Sequence, residues 1–220
     1  MKTLKESILS STKSGRFGMD DRIRNGDFNA QLVKMLEKEV AIFKVKEVSE
    51  LKTTIGAYIK AAGNNCHLNW IDTSEITSMN SLFAEYKLYK FNGDISKWNV
   101  SNVTDMYFMF AGSKFNGNIS KWDVSKVVNM CGMFNNSDFN GNISDWDTSN
   151  AIDMTNMFYY SEFNGNISKW NVSNVKYMDD MFSGSDFNQD ISNWDVKNVK
   201  SHRAIFNSCP IKPEYKPKFK

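Results

Sequence analysis

Apolar positions in this chain recur on a fixed beat. Ile95, Trp98 and Val100 are followed by Val103, Met106, Met109 and Phe110, and the set returns 24 residues on as Ile119, Trp122, Val124, Val127, Met130, Met133 and Phe134. The spacing changes within each copy. Ile95, Trp98 and Val100 follow an LxxLxL pattern that predicts a short strand with two residues sharing its inward face. Val103 to Phe110 steps by 3, 3 and 1, which predicts a helical face of about two turns. Ser101, recurring as Ser125, Ser149 and Ser173, stands where an N-cap is needed between the two. A return loop carries Asn92-Gly93, repeated as Asn116-Gly117, Asn140-Gly141 and Asn164-Gly165 and altered to Asn188-Gln189. The Asn-Gly pairs predict bends with positive φ, and a ladder of stacked asparagines bridging successive copies.

Copies at a fixed period of 20 to 50 residues cannot bury their apolar faces alone and must stack on one another. A degenerate first copy fits the same template, with Leu68, Ile71 and Thr73 as its strand, Ser74 as its cap and Ile76, Met79, Leu82 and Phe83 as its helical face. Its return, Ala84 to Lys90, is three residues longer than the others, and this alignment puts Trp70 on the outer face of the strand. Past Val199 the pattern decays through His202, Ile205 and Phe206 to Cys209-Pro210-Ile211. The expected fold class is therefore α/β: six short parallel strands, each followed by a short helix, with a closing half-turn.

Ahead of the repeats, Phe28, Leu32, Met35 and Leu36 share one helical face, with Asp27 as N-cap and an end near Val40. Ala41 to Lys46 predicts a short strand. Ser49 reads as the N-cap of a second helix, with Leu51, Ile55, Tyr58 and Ile59 as its buried stripe and Gly63 as its stop. The resulting division is a loosely ordered arm (1–26), a helix-strand-helix cap (27–65), the repeats (66–211) and a basic tail (212–220).

The units WNVSNVTDMYFMF, WDVSKVVNMCGMF and FNQDISNWDVKNVK resemble the bacterial surface-protein repeat of BspA-like leucine-rich repeat proteins and Mycoplasma lipoproteins, over residues 66 to about 211. The resemblance implies a leucine-rich-repeat-like solenoid, surface display, and adhesion or host interaction, with no catalytic residues attached. More weakly, LKESILSS at the start and CPIKPEYKPKFK at the end resemble proteins encoded by phages of gut Bacteroidetes. That resemblance implies, as the alternative, a virion-associated or host-interaction structural protein.

Charge narrows the partners. The net charge is +2, but residues 68–197 carry 9 basic and 16 acidic groups between ends that are both basic. An acidic body repels phosphate backbones, so no nucleic-acid partner is expected on the repeat face. The N-terminus has no apolar signal region and no stretch reaches membrane-span length, so no membrane insertion is expected. The chain as written reads as cytoplasmic or virion-associated, against the surface exposure usual in the family. Cys66, Cys131 and Cys209 form no CxxC and suggest neither a disulfide framework nor a zinc site. With His67 and His202 outside any motif, a Ser-His-Asp or Cys-His assembly lacks parts, and Asp145/Asp147 and Asp179/Asp180 read as solvated carboxylates. The expectation is a non-enzyme without cofactor or metal.

Groups identical in every copy are explained by the fold, because a partner of irregular shape does not demand the same residue every 24 positions. Recognition is expected where the copies differ. One outward column runs Trp70, Lys97, Lys121, Asp145, Lys169, Asn193. Beside it Asp72, Asn99, Asp123, Asp147, Asn171 and Asp195 are almost invariant and read as structural. Tyr107, Phe108, Tyr159 and Tyr160 fall in variable positions, as aromatic anchors for a protein partner or as packing against the return loops. The partner class is protein or glycan.

Overall fold

The computed structural model describes residues 26–38, 43–84 and 86–219. Residues 1–25 of the expected arm (1–26), the helix end at Val40 and the strand start at Ala41 and Ile42 lie outside them. The described elements are α1 (Ala30–Leu36), β1 (Phe43–Lys44), α2 (Val48–Ala62), β2 (Ile71–Asp72) and a 3-10 turn at Pro213–Tyr215. The cap of α1 is Asn29 rather than Asp27: its Oδ1 accepts the Leu32 N–H at 3.0 Å. Glu47, not Ser49, holds the N-cap position of α2 and makes no side-chain capping bond. Gly63 ends α2 with φ 86°, donating its N–H to the Ile59 carbonyl, as the sequence predicts. β1 pairs in parallel with β2, Phe43 opposite Ile71, which ties the helical segment to the first repeat.

From there successive 24-residue segments lie side by side. Parallel bridges join Ser78 to Asp105, then Asn129, Asp153, Tyr177 and Ser201. These bridges fall inside the stretch expected to be helical, and the reason is in the backbone. Met109 N–H closes a turn on the Met106 carbonyl and Ser113 N–H closes the next on Phe110. Phe108 and Gly112, the third residues of those turns, have φ of 50° and 66°. A left-handed residue at the third position makes a type II turn and stops a helix. The N–H groups left over, those of Met106, Phe108, Phe110 and Gly112, donate across to the carbonyls of Asn129, Cys131, Met133 and Asn135 at 2.8–2.9 Å. Every second residue thus bonds to the next segment while the residues between close turns within their own.

The core consists of columns that run along the stack. Trp98 and Trp122 lie 6.5 Å apart and nearly parallel, as do Trp146 and Trp170 at 6.4 Å. Phe91, Phe115, Phe139, Phe163 and Phe187 follow one another at 6.1–6.3 Å. Phe110, Phe134, Phe158 and Phe182 make a second phenylalanine column at 5.6–5.7 Å. All of these rings are buried, together with the paired methionines.

Polar groups inside the repeat are paired by equally periodic bonds. From Trp98 to Trp194 each indole N–H reaches the carbonyl of an apolar residue in the preceding segment, as Trp122 does to Ile95 and Trp194 to Ile167, both at 3.2 Å. The asparagine ladder is present: the N–H of Asn116 donates to Asn92 Oδ1, and the series continues through Asn140, Asn164 and Asn188 at 2.8–2.9 Å, ending on Lys212 N–H. The glycines beside it serve a different purpose from the one expected. Gly117 has no positive φ; a Cβ there would stand 2.7 Å from the Phe115 ring and 3.1 Å from the Gly93 carbonyl. Space, not backbone handedness, requires glycine at that place.

Candidate functional site

The outward column is set by a turn. Trp98 N–H closes on the Ile95 carbonyl, with Lys97 at the third position, and the same turn recurs at Ile119–Trp122, Ile143–Trp146, Ile167–Trp170 and Ile191–Trp194. An Asx bond holds each flank. Asp94 Oδ1 accepts the Ser96 N–H at 2.8 Å, and Asn99 Oδ1 accepts the Ser101 N–H at 3.1 Å. The second column therefore has a structural role throughout. Asp123, Asp147 and Asn171 each accept the N–H two residues on, so it is the Asx side chain, not the serine, that shapes the corner.

Lys97, Lys121, Asp145, Lys169 and Asn193 are all exposed and form a row across five neighbouring segments. Within the row Lys169 Nζ pairs across segments with Asp145 Oδ1 at 3.7 Å, with both side chains largely in solvent. At its far end Asn193 donates to the Ser168 carbonyl at 3.0 Å and borders a polar hollow of about 270 Å³ lined also by Asn166, Ser168, Gln189, Asp190 and Ser192.

Trp70 does not belong to this row. Its register is the expected one, since Ile71 N–H closes on the Leu68 carbonyl just as Trp98 does on Ile95. Its side chain is nevertheless fully buried, with the Tyr58 ring edge-on at 4.9 Å and Phe28 at 6.0 Å. The N-terminal helical segment covers this end of the stack, so the position that faces solvent from Lys97 onward faces α2 here.

The aromatic edge divides in two. Phe108 is half-buried over Gly132, and the Tyr160 ring covers Gly184 at 2.8 Å from where a Cβ would be. Tyr107 and Tyr160 are the members that expose large areas, at 39% and 57%, while Tyr159 is half-buried against Tyr160 with centroids 4.6 Å apart. Packing on the neighbouring segment is thus part of what these rings do.

The remaining chemistry-bearing groups are dispersed. Burial pushes the thiols of Cys66 and Cys131 up to about 11. His67 Nε2 lies 2.7 Å from the Glu37 carbonyl oxygen. Asp179 accepts Ser201 Oγ and Arg203 N–H, both at 2.7 Å. Among the described residues no group of three or more His, Cys, Asp or Glu is placed to hold a metal ion, and no helix is long and apolar enough to cross a membrane.

Sequence reasoning marks the lengthened return but names no recognition residue in it. Tyr86 is 88% exposed, the most of any large hydrophobic residue described, and it stacks on Tyr89 at 6.1 Å. Its signal in the sequence is the step of 27 residues from Leu68 to Ile95 where every later step is 24.

No curated protein and no solved structure matches the chain. A family model does, over residues 49–162 and 135–211, so that the match takes in most of α2 and the long return as well as the regular segments. The chain belongs to the family described as Mycoplasma protein of unknown function, DUF285, a family of repeat-containing proteins.

Proposed function

We propose that this protein is a non-enzymatic binding module of the BspA-like type, a leucine-rich-repeat-like solenoid whose outward row engages a protein or a glycan. The observation that carries the reading is the division of labour between columns. Side chains repeated in every segment are used by turns, ladders and the core, whereas the row Lys97, Lys121, Asp145, Lys169 and Asn193 changes charge along its length and faces solvent side by side. Protonated thiols at neutral pH are poor nucleophiles, which is consistent with a binding role. Adhesion and surface display follow from the same family type.

The test compares wild type with a Lys97→Ala/Lys121→Ala/Lys169→Ala variant on immobilised host-cell proteins and on a glycan array. Loss of retention at an unchanged unfolding midpoint is the expected result. Equal retention of every bound species by both proteins would sink the assignment of this row.

A further inference from the structure

Between α2 and the long return lies a groove of about 660 Å³, floored by Gly56, Ala57, Ile59 and Leu88 and edged by Lys52, Lys60 and Lys87. A neighbouring hollow shares Ile59, Lys60 and Lys87 and adds Lys90, Tyr86 and Tyr89. No carboxylate is among the described residues lining either. That is unusual in this chain, where residues 91–197 hold 7 basic and 13 acidic groups. The floor is apolar and the rim is cationic.

Gly56 carries the argument further. It stands inside a 15-residue helix, where glycine is unfavourable relative to alanine. Packing does not demand it: a Cβ at Gly56 would meet one atom within 4 Å, Leu88 Cδ2, at an ordinary 3.8 Å. The fold would accept a side chain here, and its absence keeps the groove open. Leu88 is buried and fixes the part of the floor supplied by the long return, while Tyr86 stands out beside it.

We propose that this groove docks an acidic peptide segment of a partner protein, one that places an aliphatic or aromatic anchor over Gly56 and Leu88 while its carboxylates meet Lys60, Lys87 and Lys90. Charge selects this occupant over the chain's own ends, since residues 1–25 carry 6 basic and 3 acidic groups and residues 212–220 carry 4 and 1. The apolar floor selects a peptide over a bare polyanion. This surface is separate from the outward row, and either can fail without the other.

The test uses a fluorescein-labelled peptide of glutamates interrupted by a Leu-Phe pair, read by anisotropy on the full chain. Saturable binding that weakens with added salt is expected, falling about tenfold or more in Lys60→Glu/Lys87→Glu/Lys90→Glu. Gly56→Leu should raise the urea midpoint and abolish binding, a combination that unfolding does not produce. Four results would overturn the proposal: no saturable binding, equal binding of oligoglutamate of the same charge, tighter binding of oligothymidylate, or self-association that the triple variant removes.

Discussion

Left-handed residues recur in two series 24 positions apart, Phe108, Gly132, Asn156, Asp180 and Ala204 in one, Gly112, Asn136, Tyr160, Gly184 and Ser208 in the other. Each non-glycine member stores on the order of 1–2 kcal/mol of backbone strain, so the glycines are not equivalent merely because their φ values are. Gly112 (φ 66°) has nothing within 4 Å of a would-be Cβ, whereas at Gly132 (φ 63°) that atom would enter the Phe108 ring. Gly112→Ala should therefore cost about 1 kcal/mol from the backbone alone. Gly132→Ala should cost about 2–4 kcal/mol once overpacking is added. Urea unfolding of the two variants side by side measures the difference, and equal midpoints would remove Phe108 from the account. The sequence reveals the Met and Phe members of these turns as core, but not the turns themselves. Apolar residues three apart share a side in a helix and in consecutive type II turns alike, and only the φ of Phe108 and Gly112 separates the two.

Corners built from Asx side chains give the segments a pH dependence. The Asp123 carboxyl lies below the usual carboxylate range because the Ser125 hydroxyl and then its N–H bond to it, and Asp190 is lowered first by the Ser192 N–H. A folded pKa below the unfolded value, which is about 3.9, means that the stabilisation is present above that pH and is lost as pH falls through the folded value. Asn99 and Asn171 make the Asp123 corner, and Asn142 and Asn166 the Asp190 corner, without titrating. Asp123→Asn/Asp190→Asn should accordingly show a smaller fall in melting temperature between pH 7 and pH 3 than wild type. A parallel fall in both proteins would show that these corners do not govern acid stability. Thiol chemistry follows the same logic in reverse. Burial holds Cys131 at about 11, so its alkylation by iodoacetamide should stay slow at pH 8 and accelerate toward pH 11, whereas rapid labelling at pH 8 would contradict its placement.

Along the whole molecule every ladder joins a segment to its immediate neighbours, and the regular segments have one length. Excising residues 115–138 brings Asn140 onto Asn92 and Trp146 onto Trp98 in the register their neighbours already use. The shortened chain should fold cooperatively at a lower melting temperature, while excising 20 residues at the same place should abolish the cooperative transition. Much of this order is readable from the sequence: the period, the asparagine ladder and the outward position of Lys97 to Asn193. The fate of Trp70 is not, because its local spacing is that of Lys97 and the rings that bury it, Tyr58 and Phe28, come from segments no repeat describes. The single 27-residue step, with its longer return, is the other departure from the beat, and it bears on valency. An array lengthened by copying its 24-residue unit gains further residues for the outward row with each copy, and with them avidity for a repetitive ligand. The groove beside Tyr86 is not copied, so its stoichiometry stays at one per chain whatever the length of the array.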